Sequence, residues 1–442
     1  MRQAENESAG GSEVTEIVDA YKKTAAKLLD DPDNPEHLTH QYTLLSTTPR
    51  SAAQLAIAKR CANIAPNEFI AVFNYASALM RNGMDSLPQF RMALELAPYD
   101  RRSLVMHHLG LAHHDRGEFE AALNWYKLSF EANLNEPKIH QSIAIAKLAM
   151  GKLKEGLHEF EVKHHIKPRK PISNAKIPWW NGQSFTGKKV ILTHEQGFGD
   201  TLQFIRFAPL LRERCLGLTF SGPESLSPLI AEQFDCFDDV INEVGPFKAD
   251  YVTSPMAACA LMGIEYKDIN GLAYMTSAPV VLPARGRLKV GLSWKGSPGY
   301  ANDALRSADL PAFCPLFDLP GAAFYSLQVR PGPDEISALG LDGFIADLGS
   351  TFNDWRDTAA AISAMDVVVA TDSANAHMAG ALGKPVLLML GKAPCWRWGR
   401  LDKTPWYRGH KIFRQTTVDQ WPIEAVRREL EAMLGRRTQI AA

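Results

Sequence analysis

Long apolar runs are missing from this chain. No stretch approaches the roughly 18 residues that a membrane-spanning helix needs, and the start, MRQAENESAGGSE, is polar and acidic, unlike a signal peptide. Cysteine is scarce: Cys61, Cys215, Cys236, Cys259, Cys314 and Cys395 are scattered with no C-x-x-C pair. That argues against a disulfide framework or a thiolate zinc site and suits reduced thiols. A dominant charge is absent too, since 48 Lys and Arg face 49 Asp and Glu for a net charge of -1. Nothing there draws the chain to nucleic acid or to an anionic membrane. The expectation is a cytoplasmic protein with no membrane span. Its 442 residues, 46% of them hydrophobic, suffice for two or three domains with real cores.

Residues 1–16 are small and polar and are expected to be disordered. A helical repeat comes next. Leu109, Gly110, Gly117, Ala122, Tyr126 and Ser129 stand at the offsets of a tetratricopeptide repeat of about 34 residues that begins at Ser103. One repeat further on come Ile143, Ala144, Gly151, Gly156, Phe160 and Pro168, and upstream Phe73, Asn74, Phe90, Ala93 and Pro98 fit a shortened copy. Small residues let paired helices approach while aromatics fill the gaps, so each pair buries its face by stacking on the next. Residues 17–168 are thus read as a TPR-like solenoid. Its concave face either binds a peptide or serves packing and dimerisation.

Residues 169–186 form a proline-containing basic linker, with Trp179 and Trp180 docking it onto the next domain. Lys188 to Arg214 then opens an α/β region. Val190 to Leu192 is a strand, Glu195 to Gly199 a glycine loop, and Thr201 to Arg212 an amphipathic helix. Gly197 and Gly199 lack the third glycine and the placed acid of a dinucleotide fingerprint, which weakens a dehydrogenase reading. Asp200, with Gln203 three residues on, is either a helix cap or a general base facing a cleft. Strands in LGLTFSG, DDVINEV and ADYVTS complete a small parallel-sheet domain, 187–283. A second domain, 284–442, opens with the strand Lys289 to Trp294. Beyond it come Lys295, a polar loop leading to Arg306 and Ser307, and the strand Ala322 to Val329 with Gln328 at its carboxyl end.

The richest stretch is DVVVATDSANAHMAGALGKPVLLML, Asp366 to Leu390. A β-branched run, a polar turn at Thr371 to Ser373, a small-residue helix from Ala374 to Leu382, a C-capping Gly383 and a second strand make a strand–turn–helix–strand unit. The turn at the strand's carboxyl end suits a diphosphate, because helix N–H groups and the Ser373 hydroxyl converge there. Equally, Asp372 and Ser373 suit simple capping. His377 lies one turn further in.

EQGFGDTLQF, VGLSWKG with Asn302, Asp303, Arg306 and Ser307 downstream, TDSANAHMAGALGKPV, CWRWGRLDKTPWY and IFRQ occur in that order. In them the chain resembles bacterial tetratricopeptide-repeat glycosyltransferases whose catalytic part is related to the lipopolysaccharide heptosyltransferases. More distantly it is similar to the protein O-linked N-acetylglucosamine transferases. The resemblance implies a two-domain GT-B (twin Rossmann-like) catalytic region behind the solenoid. It further implies a nucleotide-sugar donor held mainly by the C-terminal domain, a protein or surface-glycan acceptor, no cofactor and no essential metal. The only D-x-D, Asp31 and Asp33, falls in the solenoid. Carried over, Asp372, Ser373, Ala374 and His377 match the donor-diphosphate loop, Arg306 the phosphate-neutralising cation, and Asp200 the candidate base, with Glu195 and His377 behind it. Gly197, Gly199, Lys295, Gln328 and Trp398 complete the expected donor side.

Such chemistry asks for these types. Negative charge left on a departing diphosphate must be met by N–H groups, a hydroxyl and a cation, and the acceptor hydroxyl must lose a proton. Three departures stand out: Cys395 where relatives carry an acid, Asn375 for an aliphatic residue, and Ser373 for threonine. Trp396, Arg397, Trp398, Trp406 and Tyr407 either wall the donor site or pack the core. The expected function is an inverting, metal-independent glycosyltransferase. Its competitors are a non-catalytic TPR adaptor with a degenerate nucleotide-binding region and, more weakly, a nucleotide-sugar epimerase.

Overall fold

The computed structural model describes residues 16, 18–46, 52–133, 136–166, 177–242, 248–283, 286–297, 303–329, 332–392, 395–417 and 420–441. The expected disordered start, apart from residue 16, which is helical, the first part of the linker and the polar loop at 298–302 lie outside the described residues. The chain forms two compact units, Met1–Ser142 and Ile143–Ala442.

The first unit is helical: α1 at 18–30, α2 Pro35–Leu45, α3 Ala52–Ile64, α4 Phe69–Arg81, α5 Leu87–Leu96, α6 Arg102–Asp115 and α7 Phe119–Ala132. Consecutive helices pack as tetratricopeptide-like pairs, and the residues of the repeat frame are the ones buried: Leu109, Gly110, Ala122, Tyr126 and Ser129. Gly110 is required by contact, since a Cβ there would sit 2.3 Å from Cε1 of Tyr126. Phe73, Phe90 and His108 fill the neighbouring gap, with Phe73 and Phe90 ring centroids 5.8 Å apart.

The next two helices, α8 Pro137–Ala149 and α9 Leu153–Ile166, keep the repeat's spacing with Ala144 and Phe160 buried. Here the boundary differs from the expected one at 168. Leu153, Leu157 and Phe160 join one apolar cluster with Met256, Cys259 and Ala260 of helix α13 (Pro255–Met262), so the α/β unit begins inside α8.

That unit holds two parallel sheets. The first contains β1 Lys189–Thr193, β2 Gly217–Gly222, β3 Asp239–Asn242 and β4 Tyr251–Thr253 in the order β3-β2-β1-β4. Trp179 and Trp180 dock at its edge as the linker reading expected, the Trp180 backbone N–H donating to the Val252 carbonyl at 2.8 Å. Helices α10 Phe198–Phe204, α11 Ala208–Arg212 and α12 Ser227–Gln233 accompany α13. The single helix expected over 201–212 is therefore broken by a 3-10 turn at Ile205–Phe207. Pro209 explains the break, since it has no N–H for an earlier carbonyl and is accommodated in the first turn of α11.

The second sheet contains β5 Leu288–Ser293, β6 Ala322–Ser326, β7 Ile345–Asp347, β8 Val367–Ala370, β9 Val386–Leu390 and β10 His410–Arg414. Its order is β10-β9-β8-β5-β6-β7, again parallel. Its helices are α14 Asp303–Arg306, α15 Gly332–Ala338, α16 Trp355–Ala364, α17 Ala374–Ala381 and α18 Ile423–Ala441. Strand β8 shows why an unbroken apolar run was needed. Val367 and Val369 face a cluster closed by Val426 and Leu430 of α18, while Val368 and Ala370 face the larger cluster with Ala376 and Ala379 of α17. In both sheets the chain reverses its direction of travel beside its first strand, between β1 and β4 and between β5 and β8. In open parallel sheets the crevice beyond the strand ends at such a reversal is where ligands sit. Among the described residues, no helix is long and apolar enough to cross a membrane.

The helical unit has a built-in acid sensitivity. Burial, with His108 and Lys138 adding to it, lowers the His107 pKa to about 4. Its Nε2 lies 2.8 Å from Ser142 Oγ. Between pH 6.5 and about 4 the unfolded chain takes up a proton that the folded one refuses, so stability falls as pH falls through that window. Thermal melts of the full chain should show a helical transition that weakens from pH 7 to 4.5, on the order of 3 kcal/mol at the lower limit. His107→Gln should flatten that dependence.

Candidate functional site

The carboxyl end of β1 leads into His194, Glu195 and Gln196. Gln196 adopts φ 66, a left-handed conformation that a side-chain-bearing residue rarely takes and that often marks a site under constraint. Gly197 then caps α10, and Asp200 reaches back three residues so that its Oδ2 accepts the Gly197 N–H at 2.9 Å. Asp200 thus takes part in the helix start, as the third helical residue and not as the cap paired with Gln203. Its other oxygen is ion-paired with Arg397. Gly199 lies inside α10 and not in a ligand-cradling loop. A Cβ on it would come within 2.9 Å of His377 Cδ2 and 3.5 Å of the Ala374 Cα, so this glycine sets how closely α10 and α17 approach.

In the second sheet, the register that pairs Ser293 with Ala370 brings the end of β5 beside the turn after β8. Thr371 is locked there by its N–H on the Ser293 carbonyl and its hydroxyl on the Trp294 carbonyl, at 2.9 and 3.0 Å. Ser373 occupies the cap position of α17, yet its hydroxyl makes no capping bond and lies 3.4 Å from Ser293 Oγ. Asp372 does not cap either: its Oδ1 accepts the Trp398 indole N–H at 2.8 Å. Burial pushes the Asp372 carboxyl up, opposed by that hydrogen bond and by Arg306 and Arg397. Asn375, the departure from an aliphatic residue, donates to Ser293 Oγ at 3.1 Å and the Leu327 carbonyl at 3.0 Å, fixing the loop after β6.

His377 is buried and stacked on Trp398 at 4.7 Å, with Nδ1 2.9 Å from the Tyr407 hydroxyl. Burial first, then Arg397, His410, Arg206 and Arg306, hold its pKa well below the ordinary imidazole value. It is a neutral ring at neutral pH, and the cations of the site are the arginines.

Arg306 lies across Gly296, its Nε bonded to Asp303 at 3.0 Å and its Nη2 to the Ser297 carbonyl at 3.4 Å. Lys295 is committed to Glu335 and, at 3.3 Å, to Asp309. Gln328 accepts the Lys295 N–H at 3.0 Å, bracing this loop. Glu195 stands beside α9, 4.0 Å from His164 Nε2.

The structure therefore gathers Gly199, Asp200, Asp372, Ser373, Ala374, His377 and Trp398 around the meeting of α10 and α17, with Arg306 near enough to bear on Asp372 and His377. Sequence reasoning missed the Asp200–Arg397 pair and Ser293. It also missed Arg206, whose Nη1 donates to the Trp406 carbonyl at 3.0 Å and whose guanidinium lies 4.2 Å over the Tyr274 ring. A lone arginine inside FIRFAPLL was the available signal. The aromatic segment resolves toward packing, with Trp396, Trp398, Trp406 and Tyr407 all buried.

No family model matches the sequence. Protein FlbA of Caulobacter vibrioides is 24% identical over 448 residues, spanning 91% of this chain and 73% of its own length. Among solved structures, MamA aligns with 35% of this chain and 91% of its own at 17% identity and TM-score 0.32. PilW, a type IV pilus biogenesis factor, aligns with 35% of this chain and 73% of its own at 17% identity and TM-score 0.32. YrrB, a TPR protein with an unusual peptide-binding site, aligns with 34% of this chain and 77% of its own at 16% identity and TM-score 0.29. Scores this low establish no shared fold, and the repeat assignment rests on the helix pairs themselves.

Substituting Gly199→Val should force α10 off His377 and cost about 1–3 kcal/mol by overpacking. Denaturant titration of the α/β transition reads that loss, whereas a change of stability near zero would mean that the two helices are free to separate.

Proposed function

We propose that the chain is a glycosyltransferase of the GT-B kind, moving a sugar from a nucleotide-sugar donor to a protein or surface-glycan acceptor by inverting, metal-independent transfer. The observation that carries the reading is the meeting of the two helices that follow the sheets' strand ends: Gly199 of α10 against His377 of α17, with Ser373, Arg306 and Asp200 around them. The chemistry asks for such a set. A departing diphosphate needs fixed donors and a cation, which the uncapped start of α17, the Ser373 hydroxyl and Arg306 would supply. The acceptor hydroxyl needs a nearby base, and Asp200 is the first candidate. The helical unit would recruit the acceptor or mediate dimerisation.

One observation favours a second reading, a TPR adaptor without turnover. Asp372 is taken by Trp398 and Asp200 by Arg397. Cavities of about 670 and 460 Å³ open elsewhere, beside Trp180 and Phe185 and beside Phe317 and Phe344.

Transfer and donor hydrolysis with a panel of nucleotide-sugars separate the two. Arg306→Ala and Ser373→Ala should each lower turnover by about a hundredfold or more with circular dichroism unchanged. Undiminished turnover in both removes these roles, and nucleotide binding without any turnover in the wild type favours the adaptor.

A further inference from the structure

Arg397 is held in an unusual way for a structural arginine. Its guanidinium lies 4.4 Å over the Trp396 ring and donates to Cys395 Sγ at 3.2 Å and to Asp200, while its buried Nε has no hydrogen-bond partner among the described residues. A guanidinium has five donors in a fixed fork, and a buried donor left unmade is costly unless something else comes to meet it. Burial works against the Arg397 charge, and Asp200, followed by Cys395 and Asp372, more than restores it. The next residue along, Trp398, bonds directly to Asp372 of the strand-end loop. Arg397 therefore stands beside the Asp372–Ser373 turn, where it and Arg306 both act on the Asp372 carboxylate.

Asp200 is bound differently at its two oxygens. Oδ2 is pinned by the Gly197 N–H at the start of α10, and Oδ1 is occupied by Arg397 alone among the hydrogen bonds of the described residues. Losing Arg397 would leave the carboxylate oriented, with one oxygen open. A diphosphate carries more charge than a carboxylate and accepts a guanidinium fork through two oxygens, so it competes well for this arginine.

Resting on the transferase reading above, we propose that Arg397 is a diphosphate-binding residue that Asp200 holds in reserve, and that donor binding exchanges the partner of Arg397 and frees Asp200. In the transfer step the acceptor oxygen bonds the anomeric carbon and its proton goes to Asp200 Oδ1. The electron pair of the broken anomeric C–O bond leaves on the diphosphate that Arg397 holds. The base is thereby uncovered only when a donor is present, which protects the site against idle proton transfer.

Calorimetry on the full chain with inorganic pyrophosphate, UDP, GDP and ADP tests this. Asp200→Asn removes the competing carboxylate and should tighten binding of the preferred diphosphate by about tenfold, whereas Arg397→Gln should weaken it by at least about tenfold. The double variant should bind as weakly as Arg397→Gln. Arg397→Lys, which keeps the charge but loses the fork, should fall between and serves should the glutamine variant misfold. If the wild type binds a diphosphate and Asp200→Asn binds it no tighter, the exchange is wrong while the transferase reading stands. If neither the wild type nor Asp200→Asn binds any of the four, that reading fails and this inference with it.

Discussion

The close approach of α10 to α17 is the constraint on which the α/β unit depends. Each helix follows the central strand end of its own sheet, so where they touch, the two reversal points of the two sheets are joined. Gly199 permits the contact and the flat His377 ring fills it. Around that contact the charged groups are placed in matched fashion. Asp200 faces Arg397, Asp372 faces the Trp398 indole, and Arg206 lies among Tyr274, Trp406 and Tyr407. A buried ion pair contributes little net stability, because desolvation offsets most of the attraction, but breaking one side of it is expensive. These pairs therefore fix geometry more than they add to the total.

The segment from Cys395 to Tyr407 links the two sheets. It contributes Trp398 to the second sheet's loop and Arg397 to the first sheet's helix, and Trp406 packs edge-on against Phe204 at 5.3 Å. The neutral state of His377 follows from this enclosure. A ring shut away from water and surrounded by arginines gains nothing by protonation, and its Nδ1 is fixed by Tyr407. Arginines rather than histidines thus set the positive potential here.

Much of this was legible in the sequence for stated reasons. The apolar runs at Val367 to Ala370 and Val386 to Leu390 could hardly be other than buried parallel strands, and Gly383, at φ 70, ends α17 as its position suggested. The repeat frame named buried positions because the glycine-to-aromatic fit is local. Tertiary contacts were not legible in the same way. That Gly199 serves a helix contact, that Lys295 turns to Glu335, and that Arg397 reaches Asp200 from 197 residues away all depend on how loops from different strands meet. Spacing along the chain carries no record of that. Pro209 lies inside the apolar periodicity of 201–212, and its missing N–H is the local signal of the break that the periodicity does not show.

The strand order also dictates when this meeting of helices comes into being during synthesis. β5 cannot gain its inner neighbour until β8 has been made, the Lys289 N–H waiting for the Asp366 carboxylate 77 residues downstream. Trp398 and Arg397 emerge later still. Non-local parallel pairing of this sort assembles slowly and leaves apolar strand edges bare in the meantime. The helical unit, built from neighbours in sequence, is complete long before, so a ribosome carrying this chain displays a finished repeat array while the twin-sheet half is still an unclosed nascent chain.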